Sequence, residues 1–370
     1  MIKNLRIRDY NFRLIIYLIA ITVIGVLVVG SAEEGYQQKQ LMGLLLGVFL
    51  MVVFSLFDYN LFLKFWWIMY IFNAVLLGLI FIIGEETGGA TRWLDFGIRF
   101  QPSEITKIIL ILFFAKFIMK YEEKINTFKV LAIGSLLAAL PLVMILLQPD
   151  LSTTIVLFLT LAAMLFAGGF SYKYLLSILG IMIPVGVFAF IYVLQPNQLL
   201  VQEYQQTRIL AWLHPEDYAT EEAYQQLNSI MAIGSGQLTG KGLDNNVVTS
   251  VKNGNFISEP QTDFIFTIVG EELGFVGACA VILLLMAIAI ECIIIAYKAK
   301  DTSGRMIAAG MGSLIGFQSM INICVTTGLL PNTGLPLPFV SAGLTSLVSL
   351  YIGMGFVLNV RLQSERKYNN

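Results

Sequence analysis

Long apolar runs recur along the whole 370-residue chain and are separated by polar segments, most of them short. Many runs reach about 20 residues, the length that a helix needs to cross a hydrocarbon core of about 30 Å. Polar and apolar residues do not alternate within the runs, as they would in strands. We therefore predict an all-α, polytopic membrane protein with about ten transmembrane helices. The predicted spans lie near 13–30, 41–57, 62–83, 103–119, 129–147, 153–170, 174–194, 264–297, 305–328 and 344–359.

Two of these runs have a second interpretation. The first run follows Lys3, Arg6 and Arg8, as the apolar core of a secretory signal peptide would, but the many later spans favour a retained first helix. The run at 264–297 is too long for one straight crossing. We therefore expect it to tilt or to project beyond the bilayer.

The composition also indicates a membrane protein. Hydrophobic residues make up 57% of the chain and charged residues 13%, with a mean hydropathy of +0.78, whereas soluble domains carry about 25% charged residues. The net charge of −1 does not by itself indicate a partner, and nucleic acid is not expected as one. The three cysteines lie inside apolar runs and His214 is the single histidine, so a zinc site is not expected.

The distribution of lysine and arginine predicts the orientation in the membrane. With the N-terminus in the cytoplasm, sixteen of the 23 basic residues lie on the cytoplasmic side, as the positive-inside rule requires. Both termini are then cytoplasmic. One long polar segment, 195–263, becomes a large extracytoplasmic loop within a single membrane domain spanning 1–370.

This outer loop ends at Asp263, the last acid before the apolar run that starts at Phe264. A carboxylate at the mouth of a membrane helix, beneath a large loop, is well placed for chemistry on a lipid headgroup. The alternative is an N-cap carboxylate, which the helix dipole would keep charged. Glu271 lies eight residues further along and is not an obvious partner for a two-acid mechanism.

A second group of polar residues surrounds the start of the fourth span. Arg92 and Trp93 precede it, and Ser103 is its predicted N-cap residue. Glu104 and Lys107 then lie on one helical face. They could form a salt bridge, or Lys107 could join Arg92 in binding a sugar diphosphate, because charges at membrane depth are costly and often functional.

Three further charged residues on the outer side are candidates. Asp150 could cap the helix that follows it or contribute to function, and Arg208 could be solvated or bind phosphate. Lys241 lies in a glycine-rich turn that lacks the residue order of a nucleotide-binding P-loop, so nucleotide is not expected there. A separate uncharged segment, 330–339, contains three prolines and predicts a rigid or re-entrant turn lining a cavity.

Five motifs, in this order and together with ten spans, resemble the SEDS family (shape, elongation, division and sporulation), which includes RodA, FtsW and SpoVE. The resemblance covers nearly the whole chain. Its motifs are Arg92-Trp93 with Gln101-Pro102-Ser103-Glu104 and Lys107; Gln148-Pro149-Asp150-Leu151; Ala232-Ile233-Gly234-Ser235-Gly236 with Gly240-Lys241-Gly242; Thr262-Asp263-Phe264-Ile265-Phe266 with Gly270-Glu271-Glu272-Leu273-Gly274; and Thr333-Gly334-Leu335-Pro336-Leu337-Pro338-Phe339-Val340-Ser341. Two positions depart from the family pattern: Ala342-Gly343-Leu344-Thr345-Ser346 replaces Tyr-Gly-Gly-Ser-Ser, and Gln261 stands where histidine is common. The short N-terminal tail and Lys241 favour the RodA-like branch.

The resemblance implies a bacterial plasma-membrane glycosyltransferase that polymerises lipid II into peptidoglycan strands during cell-wall elongation, cell-shape maintenance or division. Undecaprenyl diphosphate is the leaving group, and a class B penicillin-binding protein is the implied partner. The family's essential outer-loop aspartate falls on Asp263, and its charged pair falls on Glu104 and Lys107.

We therefore predict Asp263 as the catalytic general base, with basic residues neutralising the leaving diphosphate. No cofactor is evident; a divalent cation such as Mg²⁺ or Mn²⁺ is compatible with diphosphate chemistry, but the sequence contains no clear set of metal ligands. The predicted substrate-binding residues are Arg92, Trp93, Glu104, Lys107, Asp150, Arg208 and Lys241.

Two other functions remain open at this point. Buried charges and proline-broken helices also suit a lipid II flippase, although the chain shows no internal repeat. A non-catalytic scaffold for a penicillin-binding protein could use the small residues Gly310, Gly312 and Gly316 for helix packing.

Overall fold

The chain folds into a helical bundle with one small sheet. The computed structural model describes residues 10–87, 90–95, 99–221, 223–244, 250, 254 and 256–369. The helices are α1 (Phe12–Ala32), α2 (Glu34–Leu56), α3 (Tyr59–Leu63), α4 (Trp66–Ile83), α5 (Pro102–Lys120), α6 (Phe128–Leu147), α7 (Leu151–Ala167), α8 (Tyr172–Val193), α9 (Glu203–Leu213), α10 (Tyr224–Ser235), α11 (Ile265–Tyr297), α12 (Thr302–Thr326) and α13 (Leu344–Asn369). The strands are β1 (Glu85–Thr87), β2 (Ala90–Asp95) and β3 (Arg99–Phe100).

Each of the ten predicted spans falls on one of these helices. Among the residues that the structure describes, seven helices are both long and apolar enough to cross a membrane, namely α1, α2, α4, α6, α11, α12 and the part of α13 up to Ser364. The apolar helix α7 has 17 residues, and α5 carries charged residues at both ends. The prediction of an all-α, polytopic membrane protein is confirmed.

The centre of the bundle is formed by α5 and α12. Most of α5 is buried, including the polar side chains of its first turns, and α12 packs against α5, α7, α11 and α13. On the other side of the bundle, α13 packs along α2. This arrangement brings the polar residues of α5 and α12 together inside an otherwise apolar core.

The helix α5 begins one residue earlier than predicted. Pro102 takes the first helical position and Gln101 is the N-cap residue. The prediction of Ser103 as N-cap is therefore wrong. The fixed φ of proline and its missing N–H suit the first position of a helix. The helix therefore starts at Pro102 and not after Ser103.

The helix α11 is broken at Gly274, a feature that the sequence did not predict, and the expectation of a tilted or projecting span stays a prediction. Gly274 has φ 65° and ψ −165°, a conformation essentially restricted to glycine. The backbone N–H groups of Phe275 and Val276 donate to the carbonyls of Gln237 and Leu238, at 2.8 and 3.1 Å. The turn after α10 thus provides hydrogen-bond acceptors for the two backbone N–H groups that the break leaves without helical partners. The break divides α11 into a short, mostly buried segment, 265–273, and a longer segment that can span the membrane.

The segment between α4 and α5 forms a three-stranded antiparallel sheet in the order β1-β2-β3, which the sequence pattern did not predict. The strands are two to six residues long, too short for alternation to stand out. The predicted outer loop, 195–263, contains the helices α9 and α10. Segment 330–338 has no regular secondary structure.

Candidate functional site

Asp263 lies just before α11, in a stretch of irregular backbone. Phe264 is the N-cap residue of α11, so the alternative that Asp263 caps this helix is wrong. The Asn322 side chain on α12 donates from Nδ2 to the Asp263 carbonyl oxygen at 2.8 Å. The Asp263 side chain is half-buried and is left available for another role.

The proline-rich segment 330–341 lies directly against this stretch. The Ser341 hydroxyl donates to the Thr262 carbonyl at 2.7 Å, and the Ala342 N–H donates to the Gln261 carbonyl at 2.8 Å. Gly334 has φ 70°, and a Cβ atom there would lie 3.2 Å from the Asp263 Oδ2. The segment has irregular backbone that is half-buried at 330–334 and mostly buried at 335–341, and its interpretation as a rigid or re-entrant turn lining a cavity stays a prediction.

Arg92 approaches the same site from the sheet. Its Nε donates to the Gln148 carbonyl at 3.3 Å, and its Nη2 donates to the Pro149 carbonyl. The Tyr204 hydroxyl on α9 also donates to the Pro149 carbonyl, at 3.2 Å. The Arg208 guanidinium carbon lies 5.4 Å from the centre of the Tyr204 ring, within the range of a cation–π contact.

The carboxyl of Asp263 has an unusual electrostatic environment for an aspartate. Burial raises the pKa of Asp263 from 3.8 to about 6, because desolvation disfavours the charged form. The positive charges of Arg208 and Arg92 oppose this rise, while Glu259 and Asp150 add to it. These four residues come from four separate parts of the chain, and the charge of each one affects the pKa of Asp263.

Asp150 acts as a helix cap, one of its two predicted roles. Its Oδ1 accepts from the Thr153 N–H at 3.1 Å at the start of α7. Its charge also reaches Asp263. The next residue but one, Ser152, donates to the Thr333 carbonyl, so the start of α7 also supports the proline-rich segment.

Glu104 and Lys107 form an ion pair inside the bundle. The Lys107 Nζ lies 2.8 Å from both carboxylate oxygens of Glu104, and the two residues are 1–2% exposed. Lys107 also donates to the Gln318 Oε1 at 3.0 Å, and Gln318 donates to the Pro336 carbonyl at 2.9 Å. The pair is therefore joined by hydrogen bonds to the segment that packs against Asp263.

Lys241 takes part in a different cluster. Its Nζ lies 2.6 Å from the Glu271 Oε1, and the N–H groups of Lys241 and Gly242 donate to the carbonyls of Glu271 and Glu272, each at 3.0 Å. This cluster lies where the glycine-rich turn meets the break at Gly274. The charges of Arg92, Arg208 and Asp150 thus act on Asp263, whereas Lys241 lies beside Glu271.

Trp93 is half-buried on β2 and its Cα pairs with that of Glu85. Its predicted contact with substrate stays a prediction.

Within the part of the chain that the structure describes, no three His, Cys, Asp or Glu residues lie close enough to hold a metal ion. The glycines proposed for partner packing are partly occupied, because Gly310 and Gly312 face side chains of the bundle, whereas Gly316 has open space.

Three residues of the site were missed by the sequence analysis: Tyr204, Gln318 and Asn322. Gln318 and Asn322 are four residues apart in a mainly apolar helix, so both lie on one helical face. That spacing of two amide side chains inside a membrane span was a usable signal. Tyr204 gave no comparable signal, because its role depends on the turn before α7.

Comparisons with known proteins agree along almost the whole chain. A family model described as "Cell cycle protein", covering FtsW, RodA and SpoVE, matches residues 11–366. The probable peptidoglycan glycosyltransferase FtsW of Geobacter metallireducens is 33% identical, over 96% of this chain and 95% of the relative. The peptidoglycan glycosyltransferase MrdB of Escherichia coli is also 33% identical, over 94% and 92%.

Solved structures show the same likeness. A chain from a peptidoglycan synthase complex, described as coordinating polymerization and crosslinking, is 25% identical with a TM-score of 0.76, covering 98% of this chain and 99% of that one. The rod-shape-determining protein RodA of Thermus thermophilus is 25% identical with a TM-score of 0.69, covering 95% and 96%. The chain therefore belongs to the FtsW, RodA and SpoVE family. The two curated relatives above are equally identical to it, so the RodA-like branch stays a prediction.

Proposed function

We propose that this peptidoglycan glycosyltransferase polymerises glycan strands by joining lipid II to a lipid-linked growing chain, with Asp263 as the general base. The observation that carries the proposal is the position of Asp263 just before α11, where burial raises the pKa of its carboxyl to about 6 and the charges of Arg208 and Arg92 act on it. A carboxylate with such a pKa is mostly ionised at neutral pH and is a better proton acceptor than an ordinary aspartate.

The growing strand is the donor and lipid II is the acceptor. The 4-hydroxyl of the acceptor sugar attacks the anomeric carbon of the donor, and Asp263 takes the hydroxyl proton as the new C–O bond forms. The bond from the anomeric carbon to the diphosphate oxygen breaks, and the electron pair leaves with undecaprenyl diphosphate. A single displacement inverts the anomeric centre and, by analogy with inverting glycosidases, needs no carboxylate nucleophile.

The leaving diphosphate carries negative charge that basic residues stabilise. Arg92 and Arg208 are the proposed ligands, because both influence Asp263 electrostatically. A guanidinium has five N–H donors, and the two carbonyl contacts of Arg92 leave room for phosphate oxygens. Lys107 and Lys241 are instead paired with Glu104 and Glu271, which supports positioning roles for them.

The proposed location is the bacterial plasma membrane, with Asp263 on the outer side and both termini in the cytoplasm. The excess of lysine and arginine on the opposite side supports this orientation. The proposed partner is a class B penicillin-binding protein, which would crosslink the strands. The similar chain in a synthase complex that coordinates polymerization and crosslinking supports that partner.

The test is polymerisation of fluorescent lipid II by purified protein, with and without its penicillin-binding partner. Asp263→Ala should lower turnover by about 10²–10⁴-fold, the usual contribution of a general base, while the protein stays folded. Asp217→Ala is the matched control, because it removes an exposed aspartate of the same outer loop. Adding EDTA to the wild-type reaction tests whether a divalent cation on the diphosphate takes part.

Near-normal turnover by Asp263→Ala would disprove its role as base. A folded wild-type protein that makes no polymer even with its partner would disprove the polymerase proposal and favour transport or scaffolding. Supplying lipid II only in the outer leaflet separates polymerisation from flipping, because a flippase makes no polymer there.

A further inference from the structure

Asn322 joins the two irregular segments that form the site. Its Nδ2 donates to the Asp263 carbonyl at 2.8 Å and to the Leu335 carbonyl at 2.6 Å. The side chain is 1% exposed, and neither carbonyl belongs to a helix or a strand. The relative position of these two segments therefore depends strongly on this one amide.

Gln318 repeats the arrangement one helical turn away on α12. It donates to the Pro336 carbonyl at 2.9 Å and accepts from Lys107 at 3.0 Å. Because α12 is packed on several sides by other helices, both amides project from a rigid element. The proline-rich segment is thus held to α12 at two consecutive carbonyls, those of Leu335 and Pro336.

We infer that Asn322 is a positioning residue for the reaction, which sets the distance between the Asp263 carboxylate and the turn at Gly334. The inference rests on the proposed role of Asp263 as general base. Without the amide, two buried carbonyls lose their donor, and the backbone of Asp263 can move away from the turn. A misplacement of about 1 Å at a reacting group can lower the rate by about 10²-fold.

The experiment compares Asn322→Ala, Asn322→Asp and Asn359→Ala in the lipid II assay. Asn322→Ala removes both donated hydrogen bonds, whereas a protonated aspartate at the same position keeps one donor. Asn359 is an equally buried asparagine on α13 with comparable bonds, because it donates to the Ser55 carbonyl at 2.6 Å and accepts from the Tyr59 N–H at 3.1 Å. It therefore reports the effect of losing a buried amide in the same bundle, away from Asp263.

We expect kcat per folded molecule to fall about 10²-fold in Asn322→Ala, less in Asn322→Asp, and little in Asn359→Ala. The KM for lipid II should stay nearly constant, and the midpoint of the pH–rate profile should shift in the Asn322 variants because the surroundings of Asp263 change. A purely structural role would change neither the midpoint nor kcat per folded molecule.

Wild-type kcat and an unchanged pH profile in Asn322→Ala would overturn the inference. Loss of the fold in both Asn322 variants, with Asn359→Ala folded, would also overturn it by assigning Asn322 to overall stability. Asp263→Ala is measured in parallel. If that variant stays active, it is the proposed function that fails, whatever the Asn322 variants do.

A second, independent observation concerns the turn at 198–201, which follows α8. Leu199 is 91% exposed and Leu200 61% exposed. Gln198 builds the turn, because its Oε1 accepts from the N–H groups of Leu200 and Val201 at 2.8 and 2.9 Å and its Nε2 donates to the Val201 carbonyl at 2.7 Å. A preformed turn therefore presents two leucines to its surroundings.

The turn continues an uncharged stretch that begins in α8. No charged residue occurs between Lys173 and Glu203. Gln206 on α9 donates to the carbonyls of Val193 and Gln195, both at 2.8 Å, which ties the start of α9 to the end of α8. The leucines thus lie beside the end of a membrane helix, where the adjoining apolar phase is the bilayer.

We propose that Leu199 and Leu200 insert into the lipid leaflet at the Asp263 end of the bundle. The insertion would anchor the start of α9, the helix that carries Tyr204 and Arg208. The proposed occupant is lipid and not a protein, because the exposed leucines follow a membrane helix in sequence and no charged residue lies between that helix and them.

The test places an environment-sensitive fluorophore on Leu199→Cys in a variant whose three native cysteines are replaced, reconstituted in nanodiscs with acyl-chain-brominated lipids. Asp217→Cys is the control, at an exposed charged position of the same loop. We expect bromolipid quenching at position 199 and none at 217. Quenching at 199 by aqueous iodide alone would overturn the proposal. Loss of bromolipid quenching on binding the penicillin-binding partner would do so as well, because it would assign the leucines to a protein interface.

Discussion

Lys107 touches both carboxylate oxygens of Glu104 at 2.8 Å and at the same time donates to Gln318 at 3.0 Å. The sequence left open whether Glu104 and Lys107 contact the substrate or only form a salt bridge with each other. Its burial and its connection through Gln318 to Pro336 favour a positioning role. The pair is linked through Gln318 to the proline-rich segment, whereas the proposed substrate contacts are Asp263 and the two arginines.

Breaking this pair should destabilise the protein strongly. Lys107→Met leaves the Glu104 carboxylate buried and uncompensated, which typically costs about 3–5 kcal/mol, whereas Glu104→Gln combined with Lys107→Met should recover much of that loss. Thermal unfolding in detergent measures the effect. Arg99→Gln is the control, because its 3.8 Å contact with Glu85 is exposed and should contribute little.

Exchanging the two charges (Glu104→Lys with Lys107→Glu) separates structure from substrate contact. We expect the double variant to polymerise lipid II better than either single one, because an ion pair re-forms. If the pair re-forms, as shown by recovered thermal stability, and activity stays absent, a direct contact of Lys107 with substrate would be favoured instead.

The rate of polymerisation should depend on the protonation of Asp263. Its pKa is raised to about 6, so kcat should fall as pH decreases through about 6, because the base becomes protonated. Arg208→Gln removes a charge that lowers this pKa, so the midpoint should move to higher pH. A pH–rate profile of both proteins at saturating lipid II checks this, and an unchanged midpoint in Arg208→Gln would contradict the electrostatic coupling.

Two substitutions of Asp150 separate its role as the N-cap of α7 from the effect of its charge on Asp263. Asparagine is as good an N-cap as aspartate, whereas alanine at a cap costs about 1 kcal/mol. Asp150→Asn should therefore keep the melting temperature and shift the activity midpoint to lower pH, because it removes a negative charge that raises the pKa of Asp263. Asp150→Ala should shift the midpoint similarly and also lower the melting temperature. Equal stability of the two variants would argue against the cap.

The break in α11 should tolerate no side chain at Gly274. An added Cβ would lie 2.2 Å from the backbone nitrogen of Gly240, and the backbone conformation there is unfavourable for other residues. Gly274→Ala should cost about 2–5 kcal/mol. Gly316→Ala, within α12 and with open space around it, should be neutral or slightly stabilising. Similar melting temperatures for the two variants would show that the break can relax.

The break in α11 and the small sheet between α4 and α5 could not be predicted from the pattern of apolar and polar residues. Residues 264–297 are uniformly apolar apart from a few acids, so their hydropathy predicts one long helix. The interruption depends on backbone partners from the turn at Gln237 and Leu238. Those partners lie far from the break in sequence and carry no local signal.

The sequence by itself determined the membrane class, the helices on which the ten predicted spans fall and the candidate base, because apolar length and the position of Asp263 are local properties of the chain. The same reading named Arg92, Asp150 and Arg208 without showing that they share one site. Only the tertiary structure decided which side chains meet: it placed Lys241 beside Glu271, paired Lys107 with Glu104, and joined Asn322 to the carbonyl of Asp263. Such contacts join residues of distant segments, and their geometry is set by how the helices pack.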